Sequence, residues 1–209
     1  MTLQVESQSV AVKDKNGDYI LHQKLPNGAT LILLADGMGG LLSPDIAAEF
    51  VCSTIFDFFQ QNDTEDCVEL IRTCISYADE CFAKFCRERK CKMGVALALT
   101  LFKDGRLYYT SLGDVRLYHR DRQETVSLLT RDHSIIQDGD SFLTISVLGR
   151  GFRQPISVQQ LPLNTGDTFL LCSDGYYKFH DINKGFINHA LVISELTEDD
   201  SSVIRIKVP

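Results

Sequence analysis

The sequence lacks the features of a membrane-bound, exported or nucleic-acid-binding protein. No apolar run reaches the roughly 18 residues that a membrane helix needs, and the first residues have neither the basic end nor the apolar stretch of a signal peptide. With 21 Lys and Arg against 28 Asp and Glu, the net charge of −7 argues against nucleic acid and acidic membranes as partners. Repeats, low-complexity segments and linkers are also absent from the 209 residues. We therefore expect one cytoplasmic, monomeric domain over residues 1–209.

The cysteines do not form a disulfide framework or a zinc site. Their number, seven, is odd, and most lie at apolar-periodic positions, which predicts reduced thiols in the core. The spacing of Cys81, Cys86 and Cys91 is wrong for a zinc cluster. The segment from Cys81 to Arg87 matches the Cys-x5-Arg spacing of thiol-dependent phosphatases, but that chemistry needs a glycine-rich phosphate loop. Because this segment is rich in phenylalanine and predicted helical, we do not favour that reading.

Residues 31–40 carry the main functional signal. Four bulky apolar residues and an alanine lead into Asp36, and three glycines follow within four positions. The apolar run is too short for a helix and has no polar face, so it predicts a strand buried on both sides. A carboxylate at the end of such a strand is costly to bury unless a cation or hydrogen bonds compensate it. The alternative is a buried strand that ends in an ordinary Asp-Gly turn.

The strand before it places a second carboxylate beside Asp36. Residues 19–24 and 29–35 flank a Pro-Asn-Gly turn and therefore predict a β-hairpin. Asp18 precedes the first arm and Asp36 follows the second. The two carboxylates should consequently lie at the same end of neighbouring antiparallel strands, opposite the hairpin tip.

The rest of the chain predicts two helices and a series of short strands. Ser43, Pro44 and Asp45 indicate a helix start with a capping serine; residues 62–64 end this helix, and a second extends over residues 65–89. A short helix is expected within residues 181–194. The predicted further strands cover residues 3–12, 95–102, 106–111, 115–119, 125–129, 142–148, 156–161, 168–172 and 202–208. This order indicates stacked sheets faced by helices.

Further acids lie at equivalent places in this pattern. Asp174 follows a second buried strand and is again followed by glycine, Asp199 precedes the last strand, and Asp114 lies between two strands. Hard divalent cations prefer oxygen ligands, several of them carboxylates. Mg²⁺ or Mn²⁺ held in this way lowers the pKa of a bound water and positions it to attack phosphorus. The acids together therefore indicate a metal-assisted hydrolase.

In these motifs the chain resembles the metal-dependent protein phosphatases of type 2C, the PPM family, in their compact bacterial form. The matching segments occur in the family's order along nearly the whole chain. They are Lys13-x-x-Asn16-Gly17-Asp18, Ala35-Asp36-Gly37-Met38-Gly39-Gly40, Met93-Gly94, Gly113-Asp114-Val115-Arg116, Thr130-Arg131-Asp132-His133-Ser134, Leu148-Gly149, Cys172-Ser173-Asp174-Gly175 and Asp199-Asp200-Ser201-Ser202.

The resemblance implies a fold and a reaction. The fold is α+β, a four-layer α-β-β-α sandwich of two central antiparallel sheets flanked by antiparallel helix pairs. The reaction is hydrolysis of phosphoserine and phosphothreonine in proteins, here targets of a bacterial Ser/Thr kinase, by a water that bridges two Mn²⁺ or Mg²⁺ ions.

The resemblance also assigns the site residues. Asp36 bridges both ions and Gly37 contributes its carbonyl; Asp174 and Asp199 complete one ion, and Asp18 supports the other. Lys13 holds the phosphate, and Asp114 is the candidate ligand for a third ion, which we do not expect to bind.

Several departures from the family pattern favour an alternative function. Lys13 stands where arginine is usual, Gly17 replaces an acid or amide, Val115 replaces serine, and Lys178 lies where many members carry an acid for a third metal. Residues 134–148, the family's flap, and residues 175–199 are short. The alternative is a catalytically weak phosphatase-fold module that binds a phosphoprotein or signalling partner.

Overall fold

The computed structural model describes residues 2–38, 43–137, 140–193 and 198–209. Gly39 and Gly40 of the central motif lie outside the described residues. The strands are β1 (Gln4–Val10), β2 (Asp18–Lys24), β3 (Thr30–Gly37), β4 (Val95–Lys103), β5 (Arg106–Leu112), β6 (Arg116–Arg120), β7 (Val126–Leu128), β8 (Ser134–Gln137), β9 (Asp140–Leu143), β10 (Gln159–Pro162), β11 (Thr168–Cys172) and β12 (Ser201–Lys207). The helices are α1 (Pro44–Gln61), α2 (Cys67–Glu88), α3 (Asp174–Tyr177) and α4 (Ile182–Ile187).

Two five-stranded antiparallel sheets form the centre of the molecule. One has the strand order β1-β12-β11-β6-β7 and the other β10-β5-β4-β3-β2, while β8 and β9 form a separate hairpin. Strand β3 shows how the layers are joined: Leu31 and Leu33 pack in the cluster that contains α1 and α2. Ile32 and Leu34 pack with residues of the other sheet, including Phe169. The prediction of a strand buried on both sides is confirmed, since period-two alternation sends neighbouring side chains to opposite faces.

The outer layers are unequal. Helices α1 and α2, of 18 and 22 residues, cover the β3-containing sheet. The second sheet is covered by α3 and α4, of only 4 and 6 residues, whose Tyr176 and Phe186 pack on Leu170 and Val203. The predicted layer order of helix, sheet, sheet and helix is confirmed, with a reduced second helical layer. Of the described helices, none is long and apolar enough to span a bilayer.

Three local predictions are wrong. Ser43 does not cap α1 with its side chain: its backbone is left-handed, with φ 53°, and only its carbonyl accepts from the amide of Ala47. Of the strand predicted over residues 142–148, only the first two residues are in a strand, β9, and the partner of β9, β8, was not predicted. Beyond it, Val147 makes only an isolated bridge to Val95. The strand predicted over residues 156–161 is β10, which begins three residues later. For β10, pairing with the distant strand β5 decides where the backbone hydrogen bonds form, which a local pattern cannot reveal.

Candidate metal centre

The hairpin of β2 and β3 brings the first two acids together as predicted. Asp18 and Asp36 are direct cross-strand partners at the end of the hairpin opposite its turn. On the other side of β3, Asp36 lies opposite Ala96 of β4, which has no bulky side chain to cover it. Asp36 is therefore half-buried at the end of a strand whose five preceding residues are fully buried.

Gly37 is part of β3 and does not form a turn. A Cβ on Gly37 would lie 2.1 Å from the carbonyl oxygen of Pro44, the first residue of α1. Gly175 is constrained in the same way, because its Cβ would lie 2.2 Å from the carbonyl oxygen of Asp200. Both Asp-Gly pairs thus mark places where another backbone segment approaches closely. The alternative interpretation of Asp36 and Gly37 as an ordinary Asp-Gly turn is therefore wrong.

One cavity of about 650 Å³ brings most of the predicted site residues together. It lies at the ends of the strands, and its lining includes Lys13, Asp36, Gly37, Asp114, Asp174 and Asp199. Asp174 comes directly after β11, and Asp199 lies just before β12, the strand paired with β11. The sheet topology therefore places acids that are far apart in sequence at one edge of the sandwich.

Asp18 lies behind the cavity wall. It is 6% exposed, and its Oδ2 accepts a hydrogen bond of 2.7 Å from the hydroxyl of Ser173. Burial raises the pKa of Asp18 to about 7, against the opposing effect of the hydrogen bond from Ser173. Its other oxygen, Oδ1, is buried without a hydrogen-bond partner among the described residues. An uncompensated carboxylate oxygen at this position fits an indirect contact with a cation.

The acids of the cavity interact electrostatically. Burial raises the pKa of Asp36 well above its usual value, and the charges of Asp18, Asp174, Asp114 and Asp199 raise it further. The pKa values of Asp114 and Asp199 are also raised, first by burial and then by the charge of Asp174. Carboxylates that disfavour one another's ionisation in a half-buried cavity are stabilised by a cation among them. This donor set fits hard divalent ions.

The acids are not arranged as a finished ligand shell. Within the described ranges, no three Asp, Glu, His or Cys side chains are placed to ligate a single ion. At Asp174, Oδ2 lies 2.6 Å from Nζ of Lys178. The ammonium of Lys178 therefore already occupies one carboxylate that a cation would use.

Sequence reasoning missed the role of Asp200. Its Oδ1 accepts a hydrogen bond of 2.8 Å from the amide of Val12, and its Oδ2 accepts one of 2.6 Å from the amide of Gly17. The adjacent Asp199 uses one oxygen for the amide of Asp200, at 2.9 Å. The available signal was the run of two consecutive acids before the last strand, but the pattern does not show which of them faces the cavity.

The cysteine-based alternative finds no support in the structure. Cys81 to Arg87 lies within α2, so no loop of amides surrounds the thiol of Cys81. All seven cysteines are unpaired, as predicted, and Cys52, Cys67, Cys74 and Cys172 are buried. Thiolate chemistry on phosphate requires an exposed, electropositive cradle, which a helix interior does not provide.

Comparison with known proteins gives a consistent result. The chain is 27% identical over 191 residues to protein phosphatase PhpP of Streptococcus pneumoniae, covering 78% of this chain and 74% of that protein. The structure of the S. agalactiae serine/threonine phosphatase superposes with a TM-score of 0.82 at 19% identity, covering 100% of both chains. The catalytic domain of the phosphatase PstP, in complex with two manganese ions, gives a TM-score of 0.78 at 20% identity, with 99% of each chain covered.

The family comparison is decisive because it spans most of the sequence. Residues 8–201 match the family described as Protein phosphatase 2C. This range includes the central Asp36 motif, the Asp174 motif and both consecutive acids before β12. The chain therefore belongs to the protein phosphatase 2C family.

Proposed function

We propose that this chain hydrolyses phosphoserine and phosphothreonine in proteins with the help of two divalent cations, Mn²⁺ or Mg²⁺. The observation that carries the proposal is the convergence of Asp36, Asp114, Asp174 and Asp199 on one cavity. There, burial and the neighbouring carboxylates raise the pKa values of Asp36, Asp114 and Asp199. Several of the related phosphatases are named as serine/threonine enzymes, and one solved relative holds two manganese ions. A protein target of a bacterial Ser/Thr kinase is the corresponding substrate.

The residues of the cavity suggest a division of roles. Asp36 would be the ligand shared by both ions, and the carbonyl of Gly37 would add a neutral oxygen. Asp174 and Asp199 supply charge from the second sheet, while Asp18 acts from behind the wall. When bound, two such ions lower the pKa of a water and hold it for in-line attack on phosphorus.

Lys13 is the residue that we assign to the substrate phosphate. It is exposed and lines the same cavity as Asp36, on the loop between β1 and β2. Its ammonium attracts a phosphate dianion as a point charge, without the bidentate geometry of arginine. Because acids outnumber cations in the cavity lining, this positive charge reduces the repulsion that a phosphate would meet there.

Hydrolysis of a phosphoserine or phosphothreonine peptide tests the proposed function directly. We expect turnover with Mn²⁺ or Mg²⁺ and loss of turnover on addition of EDTA, restored by excess metal. The matched control is a phosphotyrosine peptide of the same sequence. Metal-independent turnover, or none with either ion, would contradict the proposal.

Substitution of Lys13 tests the assignment of the phosphate contact. Lys13→Ala should raise KM for the phosphopeptide and the inhibition constant of free phosphate by about three- to tenfold, as expected for one partly exposed charge contact. Lys13→Arg should retain or improve both constants. The control is Lys15→Ala, which should leave both constants unchanged because the Lys15 ammonium pairs with Asp45 at 2.9 Å. If both constants are unchanged in Lys13→Ala, this side chain does not bind the phosphate.

A binding module remains the second candidate because of the ion pair between Lys178 and Asp174. The ammonium satisfies Asp174 at 2.6 Å without any metal. A module of this kind would bind a phosphopeptide with an affinity that is insensitive to EDTA and would release no phosphate. Measuring peptide affinity and phosphate release on the same sample separates the two functions.

A further inference from the structure

The loop that carries Lys13 is fastened to the second sheet by a single carboxylate. Asp200, next to β12, accepts the amide of Val12 on one oxygen, at 2.8 Å, and the amide of Gly17 on the other, at 2.6 Å. Lys13 lies between these two points of attachment. The two hydrogen bonds are charge-assisted, which makes them stronger than bonds between neutral groups.

The side chains of the loop make only local or exposed contacts among the described residues. Asn16 donates to the hydroxyl of Ser9 at 2.6 Å and accepts from the amide of Asp18, and Lys15 pairs with Asp45 with its own side chain 68% exposed. Exposed ion pairs contribute little to fixing a position. Asp200 is therefore the main long-range attachment of this loop to β12.

Gly17 connects the same attachment to the metal centre. Its carbonyl accepts a hydrogen bond of 2.9 Å from the amide of Gly37. A Cβ at Gly17 would lie 3.2 Å from Oδ2 of Asp200 and 3.4 Å from the carbonyl oxygen of Gly37. A Cβ here would press on the carboxylate of Asp200, which would have to shift by a few tenths of an ångström.

We propose that Asp200 is a positioning residue that holds Lys13 where its ammonium can contact the substrate phosphate. Both acids line the cavity, but they differ in their hydrogen bonds. Both oxygens of Asp200 accept from backbone amides of the loop, whereas among the described residues Asp199 accepts one, from the amide of Asp200. This inference rests on the proposed role of Lys13 in binding phosphate.

The variant Asp200→Asn distinguishes positioning from simple electrostatics because the two effects have opposite signs. Removal of a negative charge from the cavity rim by itself strengthens phosphate binding and lowers KM. Loss of positioning weakens it, because an amide side chain has one acceptor oxygen and can hold only one of the two backbone amides. We expect KM for the phosphopeptide and the inhibition constant of inorganic phosphate to rise about three- to tenfold, with kcat and Mn²⁺ affinity within about twofold of wild type.

Two matched variants complete the experiment. Asp14→Asn removes an equal charge from the same loop and should leave KM unchanged or lower it. Val12→Pro removes one donor, retains all charges and should raise KM as Asp200→Asn does, so the test survives if Asp200→Asn does not fold. In a Lys13→Ala background, Asp200→Asn should raise KM no further. A fall in KM for Asp200→Asn, or full additivity with Lys13→Ala, would overturn the proposal.

Hydrogen exchange separates this inference from the proposed function. In Asp200→Asn, amide exchange over residues 12–17 should accelerate relative to wild type, whether or not the protein is an active phosphatase. Unchanged exchange there would refute the attachment itself. Accelerated exchange in a protein without metal-dependent turnover would leave the attachment intact and refute the proposed function instead.

Discussion

Replacement of Asp36 by asparagine should abolish hydrolysis while leaving the fold intact. Burial and the charges of four neighbouring carboxylates raise the pKa of Asp36, so its charge is the one that a cation among these acids would stabilise. Asparagine keeps the shape but removes the charge that would be shared between two cations. We expect kcat to fall on the order of a thousandfold or more, together with weaker Mn²⁺ binding.

Although Asp36→Asn should lose activity, the stability of the metal-free protein should be retained or increased in this variant. A carboxyl whose folded pKa lies above its unfolded pKa makes ionisation costly for the folded state, and this cost grows as pH rises above the unfolded value. Asp36→Asn removes the cost. The Tm of the metal-free variant should therefore equal or exceed that of wild type at neutral pH, and the difference should shrink in acid.

Three measurements check this result: kcat with Mn²⁺, calorimetric titration with Mn²⁺, and thermal unfolding in EDTA. Asp57→Asn, an exposed acid on α1, is the matched control and should behave as wild type. Asp174→Asn and Asp199→Asn should resemble Asp36→Asn in activity. Retained Mn²⁺-dependent turnover in Asp36→Asn would refute its assignment as the shared ligand.

The part of the site that lies on the first hairpin was predictable from sequence because its determinants are local. A Pro-Asn-Gly turn fixes the register of β2 and β3, and that register sets Asp18 opposite Asp36. The second acidic strand end, at Asp174, was predictable because it repeats the same pattern of a buried strand followed by Asp-Gly. The family match covers this region as well.

Contacts between distant segments were not predictable. Asp79, a buried acid on α2, accepts hydrogen bonds from the amides of Leu148, Gly149 and Gly151, about 70 residues away in sequence. Read alone, Asp79 is one polar residue in an amphipathic helix. The difference between Asp199 and Asp200 is of the same kind, since it depends on which acid meets the loop at Gly17. Pairing of this sort is set by tertiary geometry, which no local pattern encodes.

Substitution of Lys178 should increase the affinity of the site for divalent cations. Its Nζ lies 2.6 Å from Oδ2 of Asp174, whose side chain is 14% exposed. Burial lowers the pKa of Lys178, but the hydrogen bond with Asp174 and the charges of Asp114 and Asp199 outweigh this effect, and the net pKa is raised. The ammonium therefore stays charged at every pH at which the phosphatase would be assayed, and a cation must displace it from Asp174.

Lys178→Met keeps the length of the side chain and removes the charge, so Mn²⁺ should bind about tenfold more tightly, in line with the loss of one half-exposed competing ion pair. Lys178→Asp adds an acid near Asp114. It should give an additional, weaker Mn²⁺ binding phase that corresponds to one further ion, the third, per chain. Lys184→Met, at an exposed position of α4, is the control and should leave the titration unchanged. Calorimetric titration without substrate measures these affinities independently of turnover.

Unchanged affinity in Lys178→Met would show that the ammonium does not compete for the site. The positive charge of Lys178 interacts with Asp114 and should repel a third cation there. An ion on Asp114 in Mn²⁺-soaked crystals of wild type would therefore show that Lys178 does not exclude a third cation.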